Sequence, residues 1–254
     1  MLEHGLYEQV LNKLFEAKIA EVDRERYYIG ERLIKKEEVA KLLSIYLTTI
    51  FEQYFANITD NSSKEDVSIE IDLANSIIRK LVKEFHLDDS NLISAQAKIL
   101  TAVIDKTQSN YPDIAEKLEE IRPLNGLTHG ALFSGKGPIK LHTELGKEIL
   151  SADEIYMMVS FIKKSGLNLL WSQLKEFTDN GGKLKVITTT YMQATDFEAI
   201  KCLAKLKNTE IKITYDTTSE RLHAKAYIFI RKTNFNTAYI GSSNLSHQAL
   251  DEPI

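Results

Sequence analysis

The strongest constraint on this chain is a change in the period of its apolar residues near residue 130. Before it, residues 3–20, 36–56, 65–86, 91–107 and 111–121 carry apolar side chains at i, i+3, i+4, i+7, the spacing that lays one stripe along an α-helix. "ANITDNSSKED" and "HLDDSN" break that pattern between the predicted helices. After it, helical stretches at 142–150, 166–178 and 195–206 alternate with "IYMMVSFI", "LKVITTT" and "EIKITYD", runs rich in β-branched and aromatic residues. Strands separated by helices need crossover connections, so this half reads as an α/β unit with a mixed, mainly parallel sheet flanked by helices. "AKAYIFI" and "TAYIG" follow with only a short connection, which predicts a hairpin on that sheet, and "SNLSHQAL" starts a last helix.

The two textures meet in "RPLNGLTHGALFSGKGP", where two prolines and four glycines fall close together. The boundary is placed there, giving an all-α N-terminal domain over 1–125 and an α/β domain over 126–254. Charge divides the same way. Residues 1–130 hold 16 Lys+Arg and 23 Asp+Glu, whereas residues 131–254 hold 16 and 13. An acidic helical half repels a phosphate backbone and reads as a structural, dimerising or partner-docking element. Its aromatic residues, as in "YLTTIFEQYF", sit at helical spacing and read as helix-packing residues.

A single cysteine, Cys202, excludes an intramolecular disulfide and a Cys-based zinc site and fits a reducing compartment, so the expected location is cytoplasmic. No apolar run approaches the roughly 18 residues of a membrane span, and the amphipathic, Glu-bearing N-terminus lacks a secretory pattern. No membrane association is expected.

The chemistry-bearing residues lie in "RLHAKAYIFI" and "YIGSSNLS". On a strand, His223 and Lys225 would emerge on one face, because side chains alternate with a period of two. Gly241 allows a close backbone approach, Ser242 and Ser243 supply hydroxyls and Asn244 an amide, at the start of a helix whose free N–H groups favour anions. Every one of these groups suits a phosphate. If the hairpin brings the two segments together, a histidine lies beside a lysine and an amide that would stabilise the charge of a pentacovalent phosphorane.

His-x-Lys followed by Gly-Ser-x-Asn resembles the signature of the phospholipase D superfamily, and the resemblance covers residues from about 131 to 254. It implies a metal-independent phosphodiesterase without cofactor, in which His223 is the nucleophile of a phosphohistidine intermediate. Lys225 and Asn244 would hold the phosphate, with Ser242 as an auxiliary ligand. A second histidine protonates the leaving oxygen in that family. This chain has one His-x-Lys, and "IKLHTEL" puts Glu144 where the lysine would stand, so the resemblance implies a homodimer that pairs two His223 motifs in one composite site.

Two departures accompany it. The family's aspartate five residues after the lysine is replaced by Ile230, and the connection to the glycine is longer than usual. In the branch resembling restriction endonucleases the acid comes after the Gly-Ser-x-Asn turn, before Trp-Asn. The chain reaches only "LDEPI" there, with Glu252 as a candidate acid, which leads to the expectation of a fragment truncated at its C-terminus. "SADEIYMMVSFIKKSGLNLL", "GGKLKVITTTYMQATDFEAI" and "TYDTTSERLHAKAYIF" are similar to the nuclease-like domain that precedes a superfamily-2 helicase motor in large bacterial proteins. That similarity implies DNA processing, restriction or antiphage defence, with DNA ahead of RNA as substrate and a helicase motor downstream or in trans. "FSGKGP" lacks the spacing of a P-loop.

The alternative reading is a catalytically impaired phospholipase-D-like module that binds nucleic acid or dimerises, and a third is hydrolysis of a lipid or small diester. His142 and His247 read as helix-surface residues. Thr188, Thr189 and Thr190 end a parallel strand where ligands can bind, and Lys163 and Lys164 could line a DNA path.

Overall fold

The computed structural model describes residues 9–61, 67–86, 89–94, 98–103, 113–124, 130, 133, 139–216 and 222–251. The chain divides into two compact units, residues 1–101 and 102–254. The expected boundary at 125/126 and most of the Gly- and Pro-bearing stretch around it lie outside the described residues, as does Glu252.

The first unit contains α1 (Lys13–Ala20), α2 (Val39–Asn61) and α3 (Ser68–Phe85), with a 3-10 turn at Asp89–Asn91. Asn12 caps α1 by accepting a hydrogen bond from the Phe15 amide at 2.9 Å, and its Nδ2 donates to the Tyr46 hydroxyl of α2. The helix expected over 91–107 does not form among its described residues. Residues 98–103 carry no regular structure, and Ile99, Leu100 and Val103 are exposed. The buried Asn75 of α3 supplies a reason, because its side chain pairs with both backbone groups of Ile93, accepting at 2.8 Å and donating at 2.9 Å. The Ile93 carbonyl is thereby taken from the i→i−4 ladder that such a helix would need, whereas its amide falls in the first turn, where a helix offers no partner.

The second unit begins, among described elements, with α4 (Ile114–Ile121), which packs on α5 (Leu141–Ser151). The buried Glu144 of α5 accepts from the Leu124 amide at 2.9 Å and pairs with Lys147 at 2.8 Å. There follow β1 (Glu154–Val159), α6 (Lys164–Asp179), β2 (Lys183–Thr189), α7 (Phe197–Leu203), β3 (Thr209–Thr214), β4 (Lys225–Ile230), β5 (Thr237–Ile240) and α8 (His247–Asp251). The five strands form one sheet in the order β3-β2-β1-β4-β5. Strands β1–β2 and β2–β3 pair in parallel, while β1–β4 and β4–β5 pair antiparallel. The parallel character expected of the sheet therefore extends over its β3-β2-β1 side, and the hairpin gives the other side antiparallel pairing.

One sheet face carries Ile155, Met157, Val159, Leu184, Val186, Tyr227, Phe229 and Tyr239, all buried. They join Leu145 and Ile149 of α5, Leu167, Leu170 and Leu174 of α6, and Leu245 and Leu250 in a single core. Burying each large apolar side chain contributes about 1.5–3 kcal/mol before the entropy of ordering the chain is charged against it. On the other face Met158, Ile187 and Ile228 remain partly open to solvent and Ile240 almost fully so.

The lower end of the sheet, where β1 starts and β4 stops, is fastened by a buried ion pair. Arg231 donates to Glu148 and, through the same guanidinium, to the Ser151 carbonyl and hydroxyl and the Phe235 carbonyl. Glu148 also accepts from Thr237 at 2.6 Å and Tyr239 at 2.9 Å. A buried pair of this kind is tolerable because every nitrogen of the guanidinium and both oxygens of the carboxylate are hydrogen-bonded.

Candidate active site

The upper end of the same sheet holds every described residue of the His-x-Lys and Gly-Ser-Ser-Asn segments. Strand β4 begins at Lys225, which pairs with Val159 at the end of β1. His223 stands just ahead of the strand and is exposed, so alternation along a strand does not extend to it. Lys225 points to the core face and is 6% exposed. Its Nζ donates to the His223 carbonyl at 2.9 Å, which turns the ammonium back toward the strand's beginning. Desolvation by burial holds the lysine pKa below its ordinary 10.5.

Strand β5 ends at Ile240, and the turn that follows is held at several points. The Gly241 amide donates to the Lys225 carbonyl at 3.1 Å. The Tyr227 hydroxyl donates to the Ser243 carbonyl at 3.1 Å. Asn244 is 6% exposed, and its Oδ1 accepts from the Phe161 amide at 3.1 Å. With the oxygen so occupied, Nδ2 is the end of the carboxamide left to donate elsewhere. The next residue, Leu245, forms a bridge with Ile162, and its carbonyl accepts from the Lys163 amide at 2.7 Å. Gly241 and Ser242 are exposed and Ser243 is half-buried. A Cβ on Gly241 would meet nothing within 4 Å, so the chain's own packing does not demand glycine there.

The turn does not open a helix directly. Helix α8 starts at His247, three residues after Asn244, and has only five residues. The expected helix-terminus contribution to anion binding is therefore small, because the dipole of so short a helix has few peptide units behind it. His247 is exposed at its first position. His142, near the start of α5, lies with Nδ1 3.3 Å from Asp251 Oδ1, and Lys140 Nζ donates to the Asp251 carbonyl at 2.5 Å.

The loops after β1 and β2 complete this end. Ser160, 5% exposed, lies with Oγ 3.4 Å from the Ala224 carbonyl, so the segment before β4 is touched from two sides. Asp196 accepts from the Lys164 amide at 2.9 Å and from Lys163 Nζ at 3.1 Å. The amide contact caps α6 from another loop and is the main reason the Asp196 pKa lies below that of an ordinary aspartate. Lys164 Nζ sits 2.8 Å from Cys202 Sγ and 5.6 Å from the Trp171 ring centroid. The hydroxyls of Thr188, Thr189 and Thr195 bond within the loop and to the Ser160 and Thr214 carbonyls. These threonines and lysines are thus engaged in shaping the loops. Among the described residues no cluster of three His, Cys, Asp or Glu side chains is arranged to hold a metal ion, and no helix is long and apolar enough to cross a membrane.

Sequence reasoning singled out His223, Lys225, Gly241, Ser242, Ser243 and Asn244, but not Ser160, Tyr227, Asp196 or the Phe161 amide. Tyr227 was within reach of the period-two rule, since it shares a face with Lys225. The others depend on which loops meet, which no local pattern encodes. The departure at Ile230 acquires a geometry here. Five residues along a strand separate it from Lys225 by about 16 Å and place it on the opposite face. An acid there could not touch His223.

Among solved structures, the chain is similar to the polyphosphate kinase from Porphyromonas gingivalis, at 14% identity over 48% of this chain and a TM-score of 0.32. The aligned region spans 25% of that kinase chain. No curated protein matches. Residues 139–253 match the family described as the NgoFVII restriction endonuclease N-terminal PLD domain, and this match supports a phospholipase-D-like nuclease domain in the second unit.

Proposed function

We propose that the second unit is a metal-independent phosphodiesterase that cleaves DNA through a phosphohistidine. The observation that carries this reading is the grouping of an exposed imidazole, a buried ammonium and a fixed carboxamide at one sheet end, in the segments that the family match spans. A desolvated lysine is attracted to an anion more strongly than a solvated one, and an amide held by its oxygen donates without reorganising. The open space before Gly241 would admit a phosphate to the backbone. A nitrogen of His223 attacks phosphorus, the bond to the leaving oxygen breaks, and that oxygen takes a proton from a second imidazole. Water then attacks phosphorus, giving its proton to that second imidazole, the N–P bond breaks and both histidines are restored. Lys225, Asn244, Ser242 and Ser243 donate to the non-bridging oxygens. The charge that a metal would otherwise supply comes from the Lys225 ammonium.

One His-x-Lys occurs in the sequence, so the second imidazole comes from a second copy across a two-fold axis. The matched family's name, a restriction endonuclease domain, favours DNA over RNA or lipid as the diester. The experiment is incubation of the purified dimer with plasmid DNA in EDTA. Wild type is expected to nick or linearise it, and His223→Ala to fold normally, cleave nothing and trap no phosphoryl adduct. Cleavage surviving in His223→Ala, or a wild-type dimer inert on both double- and single-stranded DNA, overturns the proposal.

A further inference from the structure

We infer that Tyr227 is a positioning residue that sets the Gly241–Asn244 turn relative to Lys225; this rests on the phosphodiesterase reading of the same site. Strand β5 stops at Ile240, so the turn has left the ladder by the time it reaches Ser243 and needs other anchors. Tyr227 is 2% exposed, two residues beyond Lys225 and on the same face of β4. Its hydroxyl reaches a carbonyl 16 residues away, that of Ser243, the peptide group joining it to Asn244. On the other side, the Phe161 amide fixes the Asn244 side chain. The turn is therefore gripped by β4 through the Lys225 carbonyl and Tyr227, and by the loop after β1 through Phe161.

The arrangement makes β4 a ruler. The lysine and the anchor of the carboxamide sit on one strand at a spacing of two residues, so their separation is set by backbone geometry rather than by loop conformation. Burial pushes the phenol pKa up, and the hydroxyl stays a donor across the range in which a nuclease works. The ring itself belongs to the core, where it faces Tyr239 across the β4–β5 ladder. Removing only the oxygen would leave that packing in place and release the turn.

The test is Tyr227→Phe, read in two ways. Cleavage of DNA is expected to lose about tenfold to a hundredfold in kcat, the scale of a small misplacement of a catalytic contact, with KM nearly unchanged because the rest of the duplex still binds. Amide hydrogen exchange at residues 243–246 is expected to speed up while the β1 and β2 amides keep their wild-type protection. Unchanged exchange in the turn overturns the inference, and so does a uniform rise through the whole sheet, which would mark Tyr227 as a general core residue. A wild-type protein that does not cleave DNA defeats the phosphodiesterase reading. The exchange comparison still decides whether Tyr227 holds the turn.

Discussion

Lys225 is the residue at which burial and charge meet. Its folded pKa lies below 10.5, the cause is desolvation, and the unfolded chain restores the ordinary value. Between those two pKa values the unfolded state binds more protons than the folded state, so stability rises with pH across that window. Wild type is thus expected to gain stability relative to Lys225→Met as pH climbs toward 10.5, in denaturant melts at a series of alkaline pH values. A parallel pH dependence in both proteins would contradict the assignment. The identities of His223, Lys225 and Asn244 were legible in the sequence because each belongs to a short pattern. The surroundings of Lys225 were not, since its neighbours, Val159 of β1 and Gly241 after β5, are brought to it by long-range pairing.

Helix α6 shows what an element does for the site. It starts at Lys164 with no side-chain cap of its own, and Asp196 from the loop after β2 satisfies its first amide. Its third residue, Gly166, is buried against the backbone segment that follows Asn244, where an added Cβ would lie 2.4 Å from Leu245 C and Ser246 N. Backbone cannot yield as a side-chain tip does. Gly166→Ala is therefore expected to cost about 1–3 kcal/mol, by overpacking, and to lower cleavage further than that loss of folded protein explains. Urea melts and specific activity, measured on one preparation, check both parts; a variant as stable as wild type contradicts the contact. Periodicity alone predicted most of this helix, placing it at 166–178 against the observed Lys164–Asp179. It failed for 91–107, where apolar spacing was present but Asn75 had claimed the backbone of Ile93. A period states which face a helix would bury and leaves open whether another side chain takes its hydrogen bonds first.

At the scale of the second unit, the sheet has two ends with different tasks. The upper end presents donors, while the lower end is closed by Arg231, Glu148, Thr237 and Tyr239. The α/β character and the hairpin were readable from period and loop length. The antiparallel pairing of β4 with β1 was not, because where a strand enters a sheet is a long-range choice. That pairing bears on the motif's one broken letter. Ile230 lies opposite Glu154, and its carbonyl accepts from the Asp153 amide at 2.9 Å. Writing the consensus aspartate back into the chain would set a third carboxylate among those two, across the ladder from one of them. Ile230→Asp is expected to lose roughly 1–3 kcal/mol in a thermal melt and to gain no cleavage, as for a substitution that adds repulsion without reaching the reacting atoms. A protein engineer who repaired this sequence by consensus would weaken its foundation and leave the working edge as it was.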